Sequence, residues 1–177
     1  MGKRPARCYT KITGPAYTRV GKYIRGVPDP RIRAFDMGNR KAEFPVHIHL
    51  VAKERCHIRH TALEAARIAV NRILQKKLGR DNYHLTIRIH PHHVLRENKM
   101  MAVAGADRIQ DGMRRSFGKP VDRAARVRVG QELVTVRINP EGYPIAIDAL
   151  KRAADRFPTP CKFVVGKGEE LVRKYRS

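Results

Sequence analysis

The sequence predicts an α+β domain: a mainly antiparallel sheet with two main helices packed on one face, preceded by a basic arm and interrupted by a long central loop. Three observations carry that prediction. Apolar residues recur with period two in several short segments, the signature of half-buried strands. Two longer segments carry an apolar stripe at helical spacing. The two kinds of segment follow one another without the regular strand-helix-strand alternation that a parallel sheet requires. At about 180 residues and 42% hydrophobic composition, the chain suits one domain with a sizeable core.

The elements follow in order. Residues 1–42 show no sustained apolar period, and prolines 5, 15, 28 and 30 with glycines 14, 21 and 26 punctuate them. Tyr9, Tyr17 and Tyr23 stand among the cations there, so the segment reads as an extended arm ordered by a polyanion. Residues 43–177 read as a single α+β domain. In PVHIHLVA, 45–52, Val46, Ile48 and Leu50 alternate with His47 and His49, which predicts a strand. Thr61 and Glu64 have the spacing of a capping box, and a helix over 62–78 follows, with Leu63, Ala66, Val70, Ile73, Leu74 and Leu78 on one stripe and Gly79 as its stop.

Tyr83, Leu85, Ile87 and Ile89 alternate with polar residues in a second strand, and HVLREN resumes extended structure after Pro91. The segment of about 99–120 holds Gly105, Gly112 and Gly118, lacks an amphipathic period and is too long for an ordinary connection, which marks a functional loop. ARVRVG and ELVTVRI, joined by a short Gly-Gln link, predict two strands that pair antiparallel. Pro144 opens a second helix with Ile147, Leu150, Ala153, Ala154 and Phe157 on one face, CKFVVG at 161–166 is a last strand, and 168–177 form a short terminal helix.

Charge selects the partner. With 38 Lys and Arg against 16 Asp and Glu, the formal net charge is +22, and a nucleic-acid backbone neutralises such an excess while releasing its counterions. No segment approaches the roughly 18 apolar residues of a spanning helix, and no charged-then-apolar signal segment opens the chain, so a soluble intracellular protein without a membrane partner is expected. Cys8, Cys56 and Cys161 are odd in number and far apart, which excludes a paired disulfide framework or a zinc ribbon.

Rival chemistries find little support. His47, His49, His57, His60, His84, His90, His92 and His93 crowd the middle third with Cys56, but their spacings match no structural-zinc pattern, so no metal ligand is assigned. The GKP of 118–120 lacks the frame of a phosphate-binding loop. Asp107, Asp111 and Asp122 have basic neighbours and no clear strand to align them for divalent ions, and read as solvated acids. No cofactor is expected and no catalytic residue is assigned. Residue chemistry alone stops at a structured RNA-binding domain, with a metal-dependent nucleic-acid enzyme and a DNA-compacting protein as alternatives.

Four segments go further: RPARCY at 4–9, RGVPDPRIRAFDMG at 25–38, TALEAARIAVN at 61–71 and HPHHVLRENKMMAVAGADRIQDGMRRSFGKP at 90–120. Together they resemble the L-ten-e family of large-subunit ribosomal proteins, the archaeal and eukaryotic counterpart of bacterial large-subunit protein L-sixteen. The resemblance implies a hammerhead-type α+β fold without enzymatic activity, bound in the cytoplasmic ribosome to large-subunit ribosomal RNA, near 5S ribosomal RNA and neighbouring ribosomal proteins. It implies that the loop of about Met101 to Met113 reaches toward the peptidyl-transferase centre and helps position transfer RNA acceptor ends. The chain differs from the family around Arg55 to His60, and the absence of the longer eukaryotic tail after Ser177 suggests an archaeal source.

The residues expected to bind RNA are Arg4, Arg7, Lys11, Arg19, Lys22, Arg25, Arg31 and Arg33 in the arm, with Lys99, Arg114, Arg115, Lys119 and Arg123 around the loop. The residues expected near transfer RNA are Ala102, Val103, Ala104, Gly105, Ala106, Asp107, Arg108, Ile109 and Gln110, whose small side chains permit close backbone approach.

Overall fold

A computed structural model describes residues 4–98 and 117–175. The strands are β1 (Asp36–Gly38), β2 (Val46–Ala52), β3 (Cys56–Arg59), β4 (Tyr83–Ile87), β5 (His93–Glu97), β6 (Lys119–Val127), β7 (Glu132–Ile138) and β8 (Cys161–Lys167), and the helices are α1 (His60–Leu78), α2 (Tyr143–Ala154) and the short α3 (Glu169–Val172). The class is α+β with antiparallel pairing between all the named strands, but the strands divide into two sheets. One has the order β1-β4-β7-β2-β8 and the other β3-β6-β5.

The division corrects the expected hairpin of the two strands flanking the Gly-Gln link. β6 pairs with β3 and β5, while β7 pairs with β4 and β2. The turn between them spends its backbone groups elsewhere: the Gly130 N–H donates to the Ala52 carbonyl at 2.9 Å, and the Ala52 N–H donates to the Gln131 carbonyl at 3.0 Å. Leu133, Val134, Thr135 and Val136 are all buried, as befits a central strand with a neighbour on each side.

The five-stranded sheet turns Val46, Ile48, Leu50, Tyr83, Leu85, Ile87, Val134, Val136 and Ile138 into the core. In α1, Leu63, Ala66, Val70 and Leu74 are fully buried at spacings of three and four residues, and α2 contributes Ala146, Ala149, Leu150 and Ala153. The alanines let the two helices pack closely against each other over the sheet. Each fully buried Leu, Ile or Val contributes about 1.5–3 kcal/mol through removal from water. Because β3 runs directly into α1, the start of that helix also lies on the three-stranded sheet, so one helix braces both sheets.

The capping box does not form. Helix α1 begins at His60 with Arg59 in the N-cap position and no side-chain cap. Glu64 turns instead to Arg67, one turn on, and accepts from its Nε at 2.8 Å and its Nη2 at 2.6 Å. A bidentate carboxylate-guanidinium pair outcompetes a single bond to an orphan amide. At the other end Gly79 stops the helix with φ of 81° and donates its N–H to the Gln75 carbonyl at 3.2 Å.

Candidate nucleic-acid interface

Through backbone groups, residues 9–31 lie against the three-stranded sheet and the start of α1, and residues 35–39 bond to β4 of the five-stranded sheet. The His57 N–H donates to the Thr10 carbonyl and the Val94 N–H to the Tyr17 carbonyl, each at 2.9 Å. The Tyr17 N–H donates to His93 Nδ1 at 3.0 Å, the Arg31 N–H to His60 Nδ1 at 2.8 Å, and Arg123 Nε to the Pro28 carbonyl at 2.9 Å. Tyr9 donates its hydroxyl to Glu97 at 3.1 Å, and burial together with that carboxylate pushes its phenol up to about 12. Ile32 is fully buried, and β1 extends the edge of the five-stranded sheet.

With the backbone so occupied, the cations face outward. Arg7, Lys11, Arg19, Lys22, Arg25, Arg31 and Arg33 are exposed. Arg19 and Lys22 sit 5.6 and 5.3 Å from the centre of the exposed Tyr23 ring, a cluster of two cations and one aromatic face. Arg4 is exposed and paired with Glu97 at 3.2 Å. Lys119 is exposed at the start of β6, whereas Arg123 is half-buried and tied to the arm by its bond to Pro28. Lys99, Arg114, Arg115 and residues 102–110 lie outside the described residues.

Two buried clusters hold the arm's docking surface in shape. In the first, Asp122 of β6 accepts from Arg59 Nε at 3.0 Å, pairs more closely with Arg59 Nη2 and with His60 Nε2, and accepts the Arg123 N–H at 3.1 Å. This corrects the reading of Asp122 as a solvated acid off any strand, because it is only 1% exposed. Its burial alone would raise the carboxyl, but the bonds from His60 and Arg59 outweigh that and hold it far below the usual carboxylate range. Since His60 Nδ1 accepts from Arg31, its proton rests on Nε2, facing Asp122.

In the second cluster, the His57 and His93 rings stack 4.7 Å apart within 8° of parallel. His57 Nδ1 donates to the Tyr9 carbonyl at 2.8 Å, and His93 Nδ1 accepts from Tyr17. Burial, then the neighbouring His57, Arg126 and Arg96, push His93 down to about 4, and burial also lowers His57. Both rings are neutral at pH 7. His57, His60 and His93 are therefore internal scaffolding, while His90 and His92 are exposed, and among the described residues no group of three His, Cys, Asp or Glu is arranged to hold a metal ion.

The polar face of the five-stranded sheet adds cations that the sequence reading passed over. Arg137 on β7 lies between His47 of β2 and His84 of β4, with Nη1 3.3 Å from His84 Nδ1, and Lys167 of β8 stands opposite His47. Lys162 is exposed on β8, and Arg88 and Arg128 are exposed just past the ends of β4 and β6. Arg88, Arg128 and Arg137 occupy polar positions in alternating segments, which is a legible signal, whereas Lys162 and Lys167 stand in CKFVVGK, which does not alternate. Two basic surfaces result, one carried by the arm over the small sheet and one by the outer face of the large sheet.

The sequence model of the family described as ribosomal protein L16p/L10e matches residues 12–164. The chain is 53% identical over 173 residues to the large ribosomal subunit protein uL16 of Methanococcus aeolicus, covering 98% of this chain and 99% of that relative. It is similarly 53% identical over 173 residues to uL16 of Archaeoglobus fulgidus, with 98% of each chain covered, and 53% identical over 172 residues to uL16 of Picrophilus torridus, with 97% of each covered. These relatives are ribosomal proteins rather than enzymes. With a match across most of its length and half its residues shared with archaeal relatives, the chain belongs to the ribosomal protein L16p/L10e family.

Proposed function

We propose that this structural constituent of the large ribosomal subunit clamps large-subunit ribosomal RNA with the outward cations of residues 4–42 and of the strands beneath them. The observation that carries this reading is the arm itself: its backbone is bonded to the small sheet while its Arg and Lys side chains are left to solvent. Phosphates are the ligand that such fixed, solvent-facing cations suit. In this reading the protein works in the cytoplasmic ribosome beside 5S ribosomal RNA and neighbouring large-subunit proteins, and the two sheets with their helices act as the hammerhead-type body that sets the spacing of the cations. The segment of about 99–120 helps position transfer RNA acceptor ends near the peptidyl-transferase centre.

Two experiments test the two halves. If roughly 6–10 phosphates are contacted, affinity for ribosomal RNA should fall by about 10³–10⁵ between 50 and 200 mM salt, measured by filter binding across a salt series; a flat response refutes the phosphate clamp. Deleting Ala102 to Gln110 should leave incorporation into subunits intact, as judged by sedimentation, while transfer RNA placement and peptide synthesis fall. Normal translation by such subunits would remove the loop's role and leave the clamp standing.

A further inference from the structure

A column of flat groups crosses the boundary between the arm, the small sheet and the start of β6. His57 stacks on His93, and His93 stacks on Tyr17 with centroids 5.6 Å apart. The Arg96 guanidinium then lies 4.0 Å from the centre of the Tyr17 ring and 3.6 Å from the centre of the Phe117 ring, sandwiched between them. Phe117 ends the column and is 74% exposed, the most exposed large apolar side chain among the described residues. One ring face is thus occupied by a cation, and the other is open to solvent.

The column is closely packed. Gly118 runs so close to the end of β5 that a Cβ there would stand 2.6 Å from the Glu97 carbonyl carbon and 2.8 Å from the Asn98 nitrogen, so only glycine lets residue 117 sit beside Arg96. Arg96 Nη1 is buried without a hydrogen-bond partner among the described residues, and the guanidinium is packed by a ring on each face. The open ring therefore lies over the Arg96 guanidinium.

We propose that the open face of Phe117 is a stacking platform for an unpaired RNA base. An apolar helix or a lipid chain would also cover a ring, but the surroundings are cationic: Arg96 lies beneath, Lys119 two residues along, and Arg4 on Glu97 beside the Gly118 contact. A nucleotide answers both features at once, with a π face for the ring and a phosphate for the cations. The cation under the ring also draws electron density from it, which favours contact with an electron-rich base. The inference rests on the RNA-binding reading and adds to it a specific contact with a base rather than a phosphate.

The chain contains no tryptophan, so Phe117→Trp places a sole indole at the platform. Full-length Phe117→Trp is titrated with an unstructured single-stranded RNA and with heparin, a polyanion without bases, while anisotropy of the labelled polyanion reports binding. RNA should quench the indole; heparin should bind without quenching it. Phe117→Ala and Phe117→Leu should each bind RNA roughly 5- to 150-fold more weakly and heparin as the wild type does, while Phe117→Tyr keeps wild-type affinity. RNA binding with no quenching, equal quenching by heparin, or a Leu variant as tight as the wild type overturns the platform and leaves the phosphate clamp intact. If anisotropy shows no RNA binding by the wild type, both readings fall.

Discussion

Asp122→Ala is expected to destabilise the protein by about 3–5 kcal/mol, the cost of leaving a buried charge without its partner. The carboxylate is almost completely buried and collects Arg59, His60 and the Arg123 amide; its removal leaves a guanidinium and an imidazole N–H in the interior facing a void. Asp122→Asn keeps the shape but loses the charge, and should fall between the two. Urea denaturation at pH 7 measures both, and a loss under about 1 kcal/mol for the Ala variant would show that the pairing merely repays its own desolvation. The pH dependence has a definite sign. Because the folded carboxyl is held far below its unfolded value of about 3.9, its stabilisation is fully present above that pH and fades as the pH falls further. The gap between wild type and Asp122→Ala should therefore be widest near neutrality and narrow in strong acid. His60 carries the effect outward, since its other nitrogen accepts the Arg31 amide; hydrogen exchange at Arg31 should speed up in the variant.

Acidification from pH 7 to about 4 is expected to cost the wild type roughly 3 kcal/mol through His93 alone. The folded His93 resists protonation down to about 4, whereas the unfolded chain takes up its proton near 6.5. The unfolded state thus binds more protons across that window, so stability is complete above it and declines as the pH passes down through it. His57, stacked on the same ring and lowered in the same direction, steepens the decline. The first structural consequence should be local, because the Tyr17 amide donates to His93 and the Val94 amide to Tyr17. Hydrogen exchange at those two amides should accelerate before the core amides of β7. His93→Phe removes the titrating ring and should flatten the stability profile between pH 4 and 7, though it also forfeits the Tyr17 bond. An unchanged slope in that variant would assign the acid sensitivity to other histidines.

Much of the fold could be read from local pattern. Val46, Ile48 and Leu50 alternate with His47 and His49, and a strand is the backbone geometry that sends alternate side chains to opposite faces. Leu63, Ala66, Val70 and Leu74 recur at helical spacing and are the buried stripe of α1. Partnership between strands was less legible. ARVRV and ELVTVRI are equally good strands, and nothing in a two-residue link reveals that Gly130 and Gln131 bond to Ala52 rather than closing a hairpin. The capping box failed for a related reason: Glu64 had two possible partners, and Arg67 offered the stronger geometry.

By itself, then, the sequence determined the class of the fold, the excess of positive charge and the family to which its motifs point, because periodicity, composition and motif are properties of neighbouring residues. Only the tertiary structure decided which cations remain outward and which groups hold them. Asp122 reads as a solvated acid and His60 as one of a histidine crowd until β3, β6 and α1 bring them together with Arg59 out of water, where pairing becomes obligatory. Likewise Tyr17, His57, His93, Arg96 and Phe117 come from four separate stretches of chain, and stacking is a matter of distance and angle in space. A nucleic-acid-binding protein could be read from its charge, but which cations face outward and which are tied into the interior required the packed sheets.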